Sequence, residues 1–182
     1  MTDFETAYKK GDYNKALTLV TKAAQQGEAR AQFALGLSYF DGKLGLEKNY
    51  PEAIKWLKKS AKQGHKEAPY ILGWAEYSHG INFHEAVNWF EKAALLAEET
   101  PEFNLELITA PHIFIGLIYF EGKDPTIDIV NTYMWLYIAA SYEQPYPQNS
   151  VFLWPTPKHI IDDLNQLMTL NQIKEATLLA DI

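Results

Sequence analysis

The feature that most constrains this sequence is a pattern that occurs three times. Segments 31–42, 68–80 and 111–122 each carry a glycine near the middle, large apolar residues around it and a second glycine at the end. Each is followed by an apolar-periodic segment that contains a tryptophan, namely Trp56, Trp89 or Trp135. A two-helix unit that returns every ~35 to 45 residues is typical of helical solenoids, in which neighbouring repeats bury one another's apolar faces. The sequence therefore predicts an all-α fold.

The repeated central glycine predicts close helix packing. Glycine inside a helix costs about 1 kcal/mol relative to alanine, so its return at the same place needs a steric reason. A missing Cβ lets a neighbouring helix approach more closely. These glycines are Gly36, Gly73 and Gly116. The second glycine of each segment is predicted to end the helix, as glycine does after a C-cap.

The chain divides into five predicted parts of a single solenoid domain. Residues 1–28 are an N-terminal capping hairpin, or partial repeat, and residues 29–64, 65–100 and 101–141 are repeats 1 to 3. Residues 142–182 comprise a loop rich in proline and aromatic residues and a C-terminal helical cap that begins near Pro157. Asn49-x-x-Glu52, Asn82-x-x-Glu85 and Thr169-x-x-Gln172 resemble capping boxes. In repeat 3 the first helix is expected to begin near Pro111.

Composition narrows the compartment and the class of partner. A net charge of −7 argues against nucleic acid or an anionic membrane as the main partner. There is no cysteine, the start has no features of a secretory signal, and no apolar run approaches the ~18 residues of a spanning helix. We therefore expect a cytoplasmic protein.

Motifs for catalysis and metal binding are missing from the sequence. It contains no nucleophile elbow, no phosphate-binding loop and no dinucleotide fingerprint. Asp162 and Asp163 are adjacent on a predicted helix and point in different directions. His79 and His84 flank a turn, but their spacing supports no metal site. We expect no enzyme activity, no metal and no cofactor.

Two stretches carry a resemblance to a known family. The first is Glu28-Ala29-Arg30-Ala31-Gln32-Phe33-Ala34-Leu35-Gly36 with Tyr39 and Gly42, and the second is Glu52-Ala53-Ile54-Lys55-Trp56-Leu57-Lys58-Lys59-Ser60-Ala61-Lys62-Gln63-Gly64. Both resemble the Sel-one-like repeat family, a branch of the tetratricopeptide-repeat superfamily. The resemblance covers about residues 5–141 and implies a right-handed αα-superhelix of helix-turn-helix repeats. Repeat 2 departs from the pattern with Glu76 at a tyrosine position, and repeat 3 departs with Thr132 at an alanine position.

The resemblance also implies where a partner binds, because the first helices of such repeats line a concave side. Outward positions there form an aromatic and aliphatic stripe, typical of interface anchors. The predicted partner-binding residues are Arg30, Phe33, Leu37, Phe40, Glu67, Tyr70, Trp74, Tyr77, Ile113, Leu117 and Phe120. Two alternatives stay open: a tightly wound solenoid buries the stripe as core, or the 142–157 loop fills it. The acidic stretch 98–102 with Glu106 is either a contact for a basic partner or a solvated loop.

The sequence therefore predicts a non-enzymatic module that binds a protein or peptide. If the acidic surface takes part in binding, the partner is expected to be basic. The alternative is a dedicated inhibitor or immunity protein that neutralises one basic toxin. A third hypothesis, an enzyme acting on cell-wall or β-lactam substrates, comes from secreted, cysteine-rich relatives linked to β-lactams.

Overall fold

The structure is a computed structural model that describes residues 3–80, 82–98, 105–123, 128–142 and 157–180, except for the side chains of 98 and 105–108. All regular secondary structure in these ranges is α-helical, as predicted. The helices are α1 Asp3–Lys9, α2 Tyr13–Gln25, α3 Ala29–Asp41, α4 Tyr50–Lys62, α5 Ala68–Ser78, α6 Phe83–Glu98, α7 Leu105–Phe120, α8 Ile129–Ser141, α9 Pro157–Leu167 and α10 Leu170–Ala180. They form two compact units, Met1–Ile81 with α1 to α5 and Asn82–Ile182 with α6 to α10.

In the first unit each helix packs on the next along the chain, from α1 to α5. Side-chain caps fix where two of these helices begin. Asp12 accepts a hydrogen bond from the backbone N–H of Lys15 at 3.1 Å, and Asn49 accepts one from Glu52 at 3.1 Å. Each bond satisfies an N–H that the first helical turn leaves unpaired. At the other end of α3, Gly42 adopts the left-handed conformation with φ of 71° and stops the helix.

Close helix packing at the central glycines is confirmed at two positions. A Cβ on Gly36 would lie 2.7 Å from Cγ of Leu57, which is fully buried on α4. In the second unit, a Cβ on Gly116 would lie 2.5 Å from Cγ of Leu136 on α8. Carbon atoms in ordinary contact are ~3.5 to 4.0 Å apart. Both helix pairs therefore approach at a distance that only glycine permits.

A set of side-chain hydrogen bonds ties α4 to the preceding helix and its connection. The hydroxyl of Ser60, which is fully buried, donates to the carbonyl of Ala29 at 2.7 Å. The amide of Gln63 donates to the side-chain oxygen of Gln32 at 2.7 Å and to the carbonyl of Gly27 at 2.8 Å. Two of these bonds therefore hold α4 and its C-cap against α3, and the bond to Gly27 ties the same end of α4 to the connection between α2 and α3.

In the second unit α7 packs against both α6 and α8, and α8 also contacts α9 and α10. The rings of Phe90 and Phe114 stack at 5.0 Å between α6 and α7. The Thr169 capping box is complete: the backbone N–H of Thr169 donates to the side chain of Gln172, and that of Gln172 donates to the Thr169 hydroxyl. α9 begins at Pro157, and with α10 it forms the predicted C-terminal cap on α8.

The predicted start of the first helix in repeat 3 is wrong. α7 begins at Leu105, so Pro111 lies inside the helix and not at its first turn. A proline in a helix interior costs about 3 kcal/mol, which is why its position favoured a helix start. Pro111 is fully buried, and all residues from 111 to 119 are buried with it. Tertiary packing of this apolar helix therefore outweighs the local cost. Across the described ranges no helix has the length and apolar character needed to cross a membrane.

Candidate functional site

Four of the predicted partner-binding residues lie on α3. Arg30, Phe33, Leu37 and Phe40 follow one another at intervals of three and four, which places them along one side of the helix. Phe33, Leu37 and Phe40 are partly buried. Arg30 is exposed, and its Nε lies 4.0 Å from a carboxylate oxygen of Glu5 on α1. This side of α3 therefore presents apolar side chains with a cation at the N-terminal end.

Two ring contacts connect α3 to the segments that flank α5. The ring of Phe33, near the start of α3, stacks on His65 at 4.1 Å. The ring of Phe40, near the end of α3, meets His79 at 6.0 Å, and Tyr50 contacts both rings at 5.6 and 3.5 Å. His65 precedes α5 and His79 is its C-cap. The starts of α3 and α5 are thus joined, as are their ends, so the two helices run side by side in the same direction.

Three further predicted residues lie along one side of α5. Tyr70, Trp74 and Tyr77 are spaced by four and three residues, and all three are partly buried. The rings of Trp74 and Tyr77 are 6.1 Å apart. Glu67 is exposed at the N-cap position, although its side chain makes no capping hydrogen bond. We refer to these side chains of α3 and α5 together as the α3–α5 face.

The remaining predicted residues lie on α7 in the second unit, and two of them are not available to a partner. Ile113 and Leu117 are only 5% and 4% exposed, so they belong to the core and not to a surface stripe. Because α7 packs on α6 and α8 and is apolar around its whole circumference, these positions are covered. Phe120, at the end of α7, is 44% exposed.

Leu37 also lines an apolar pocket of ~260 Å³ in the first unit. Phe4 and Tyr8 of α1 and Val20 of α2 form other parts of its wall, and Lys43 lies at the same pocket. The N-terminal hairpin therefore extends the apolar surface beside α3. This extension was not predicted, because α1 has only seven residues and offers too short a segment for a pattern of this kind to stand out.

His65 has an unusual environment for a loop histidine. Its Nδ1 is buried without a hydrogen-bond partner among the described residues, while its ring stacks on Phe33. Burial lowers the pKa of His65 from its ordinary value of 6.5, partly offset by the nearby Glu67 carboxylate. The neutral ring is thereby favoured, which suits a stacking contact between two uncharged rings.

The sequence did not indicate the three residues that organise this face. The sequence pattern places His79 beside a turn and indicates no role for His65 or Tyr50. One signal was available: each histidine adjoins a helix-ending glycine, Gly64 or Gly80, and the two lie at opposite ends of α5. A histidine at both ends of one helix is a pattern that ring contacts to a neighbouring helix would produce.

Other predicted features fall in part or entirely outside the described residues. These are most of the acidic stretch 98–102, the side chain of Glu106 and the proline-aromatic loop from 143 to 156. In the part of the chain that is described, no three histidine, aspartate or glutamate side chains are grouped so that they could hold a metal ion.

Charge is divided very unequally between the two units. The first unit has twelve Lys and Arg residues against nine Asp and Glu, a net charge of +3. The second has four Lys against fourteen Asp and Glu, a net charge of −10. The overall charge of −7 therefore belongs to the second unit, and the α3–α5 face lies in the first.

Comparison with known families agrees with this architecture. The Sel1 repeat model matches residues 6–28, 29–65, 67–97 and 112–141, which together make up more than half of the chain. The chain belongs to the Sel1 repeat family. Sel1 repeat proteins generally act as protein-interaction modules, so this coarse functional class is supported for the chain.

A solved structure of a Sel1 repeat protein has a similar fold. The crystal structure of a Sel1 repeat protein from Oxalobacter formigenes shares 28% sequence identity and a TM-score of 0.61, over 90% of this chain and 64% of that protein. This chain thus spans slightly less than two thirds of the length of that relative. A second crystal structure is that of a protective antigen present in uropathogenic Escherichia coli strains, which displays an SLR fold. It shares 25% sequence identity and a TM-score of 0.42, and the match covers 91% of this chain and 40% of the antigen chain. No curated protein matches the chain in sequence. The first comparison and the family match confirm the predicted αα-superhelical repeat class.

Proposed function

We propose that this Sel1 repeat protein is a non-enzymatic interaction module that binds a peptide segment of a partner protein on the α3–α5 face. Seven predicted residues form the site: Arg30, Phe33, Phe40, Glu67, Tyr70, Trp74 and Tyr77, with Leu37 at its edge toward α1. The proposed compartment is the cytoplasm, where a chain without cysteine is unaffected by reducing conditions.

The observation that carries the proposal is a row of large aromatic side chains left partly exposed on two parallel first helices. Aromatic residues concentrate binding energy at protein interfaces, because they bury a large area with few rotatable bonds. Here the contacts of Phe33 with His65, and of Phe40 with Tyr50 and His79, hold two of these rings in place before any partner arrives. A pre-ordered surface loses less side-chain entropy on binding.

Charge argues for an apolar segment, not a basic one, at this face. The unit that carries it has a net charge of +3, and its two flanking charges, Arg30 and Glu67, are of opposite sign. A partner selected for basic character would instead be attracted to the second unit.

The test uses site-specific cross-linking followed by affinity measurement. A photoreactive phenylalanine replaces Tyr70 in cells of the source organism, and in a parallel strain it replaces Tyr13, which is 51% exposed on α2. A partner that cross-links from position 70 but not from position 13 is then identified and purified. Its affinity is measured by calorimetry for the wild type, Trp74→Ala and Tyr13→Ala.

We expect Trp74→Ala to weaken binding by about 2 kcal/mol or more, roughly thirtyfold, as truncation of an interface anchor does. Tyr13→Ala should leave the affinity unchanged. Circular dichroism confirms that both variants are folded. The proposed site is wrong if folded Trp74→Ala retains full affinity, or if Tyr13→Ala and Trp74→Ala weaken binding equally.

A second candidate function, the dedicated inhibitor of one basic toxin, is favoured by the net charge of −10 in the second unit. Calorimetry together with association rates measured at several salt concentrations separates the two functions. An inhibitor is expected to have one nanomolar partner whose association rate falls steeply with salt, because opposite charges steer the encounter. A general module that binds through apolar anchors should show weaker affinity and little dependence on salt.

A further inference from the structure

The second unit contains a cavity that the proposed function does not use. It has a volume of ~430 Å³, within the range of small-molecule sites in proteins. Glu91 of α6, His112 of α7, and Trp135 and Ser141 of α8 contribute to its walls, and Leu179 of α10 also lines it. The cavity thus lies between the last repeat helices and the C-terminal cap, in a part of the fold that repeat periodicity alone does not describe.

Aromatic rings surround the polar part of this cavity. The ring of His112, which is 1% exposed, lies 5.4 Å from that of Trp135 and 6.0 Å from that of Tyr142. Trp135 and Tyr142 are themselves only partly buried and both line the cavity. Faces of aromatic rings carry partial negative charge, so they attract a cation placed within about 6 Å, and tryptophan does so most strongly.

The carboxylate of Glu91 adds a formal negative charge at the same cavity. It is partly buried, and within the described part of the chain no salt bridge or hydrogen bond joins it to another residue, while His84 acts on it electrostatically. Burial raises the pKa of Glu91, with His84 acting in the opposite direction. An ionised carboxylate that has lost part of its water is stabilised most by an opposite charge placed beside it.

From this geometry we infer that the cavity binds an organic cation, an ammonium or guanidinium group on an apolar stem. The charged group lies between Glu91 and the rings of Trp135 and Tyr142, and the stem contacts apolar residues such as Leu95 and Leu179. The net charge of −10 in this unit raises the local concentration of any cation. A lysine or arginine side chain of a protein and a free alkylamine share this chemistry.

The first experiment compares two probes that share an apolar stem, one with a charged ammonium group and one with a neutral hydroxyl group. Pentylammonium and 1-pentanol are titrated into ¹⁵N-labelled protein at about pH 8, where a carboxylate is ionised and histidine is largely neutral. Amide shifts of residues on α6, α8 and α10 report binding. We expect saturable shifts with pentylammonium and an affinity for pentanol at least about tenfold lower, because pentanol lacks the charge-assisted contact. Equal affinity for both probes, or no binding of either, would overturn the inference.

The second experiment removes the charge from the protein. Glu91→Gln keeps the shape of the side chain, and Asp163→Asn removes an exposed charge from α9 in the same unit, at a residue that does not line the cavity. Pentylammonium should bind Glu91→Gln at least about tenfold more weakly, and Asp163→Asn nearly as well as the wild type. Equal losses in both variants would show a general effect of charge and overturn the site. Should Glu91→Gln fail to fold, the comparison of the two probes on the wild type decides alone.

A third titration distinguishes the two sources of the cation. The peptide acetyl-Gly-Lys-Gly-amide presents the same ammonium group on a protein backbone. Tighter binding of this peptide than of pentylammonium supports a side chain of a partner protein as the natural occupant, and weaker binding supports a free amine.

Discussion

Alanine at Gly36 is the sharpest structural test of the repeat. The added Cβ would lie 2.7 Å from Cγ of Leu57, 3.0 Å from its Cδ2 and 3.3 Å from the backbone oxygen of Ala53. For an ordinary carbon–carbon contact, the Leu57 side chain would have to move away from the added Cβ by close to 1 Å. Leu57 is fully buried, so its neighbours would have to move with it. Overpacking of this kind costs about 1 to 3 kcal/mol, whereas alanine gains about 1 kcal/mol in helix propensity. We expect Gly36→Ala to lower the free energy of unfolding by up to about 2 kcal/mol.

Because the two effects oppose each other, a double-mutant cycle with Leu57→Ala isolates the steric term. Leu57→Ala alone should cost about 2 to 5 kcal/mol through the cavity it leaves. In the Gly36→Ala background the same change removes the clash, so it should cost about 1 to 3 kcal/mol less. Urea denaturation followed by circular dichroism gives each value, and hydrogen exchange of α3 and α4 amides shows whether the loss is local.

Gly116 supplies an internal comparison in the second unit. There a Cβ would meet two atoms of Leu136 at 2.5 Å, so Gly116→Ala should destabilise more than Gly36→Ala. The reasoning is refuted if Gly36→Ala raises stability by about 1 kcal/mol, the value expected from propensity alone. Coupling to Leu57 below about 0.5 kcal/mol would refute it equally, since that is within the error of additivity.

Two further predictions concern ionisable groups of the first unit. Lys58→Met should lower stability by about 1 kcal/mol or more, because the side chain of Glu76 is only 5% exposed and would lose an opposite charge that lies 3.8 Å away. Lys55→Met, which breaks an exposed pair with Glu52, should change stability by less than ~0.5 kcal/mol in urea denaturation. Equal effects of the two substitutions would contradict the buried-pair argument. Burial lowers the pKa of His65, so the unfolded chain binds the proton at a higher pH than the folded protein, and stability should fall as pH drops below 6.5. His65→Phe, which keeps the stacking on Phe33, should lose part of this dependence when urea midpoints are compared at about pH 7.5 and pH 5; an unchanged dependence would exclude His65 as its source.

Local signals in the sequence were sufficient for most helix boundaries of the first unit. Asp12 and Asn49 cap helices because a short polar side chain at that position can bond an unpaired N–H two or three residues on. The need for glycine at position 36 could also be predicted. Glycine destabilises a helix, so its return at the same place in each repeat indicates close approach of a neighbouring helix there. These features depend on a few adjacent residues or on the repeat itself.

The sequence did not predict which residues of α7 are buried. Its residues are apolar around the whole helix, so periodicity does not distinguish a side that faces solvent from a side that faces α6 or α8. By analogy with the first two repeats, Ile113 and Leu117 were predicted to face outward, but both are core residues. The ring contacts of His65 and His79 were equally hidden, because they join residues that only the stacking of helices brings together.

The three central glycines allow equivalent positions of the first helices to be compared. Three residues before the glycine stand Phe33, Tyr70 and Ile113, and one residue after it stand Leu37, Trp74 and Leu117. At both positions the residues of α3 and α5 are partly buried, whereas those of α7 are aliphatic and buried. Three of the four partly buried residues are thus aromatic, with Leu37 as the exception, whereas both buried residues are aliphatic.

This difference limits what each unit can contribute to recognition. With Ile113 and Leu117 in the core, most of the predicted apolar anchors lie on the α3–α5 face, in a unit of net charge +3, and Phe120 is the one predicted residue of α7 that is exposed. The second unit offers an acidic surface and a cavity that joins Glu91 to aromatic rings. Apolar burial depends little on ionic strength, whereas attraction between charges is screened by it. The same repeat pattern is therefore compatible with both proposed modes of binding, which have different physical bases and depend on the residues at positions equivalent by repeat.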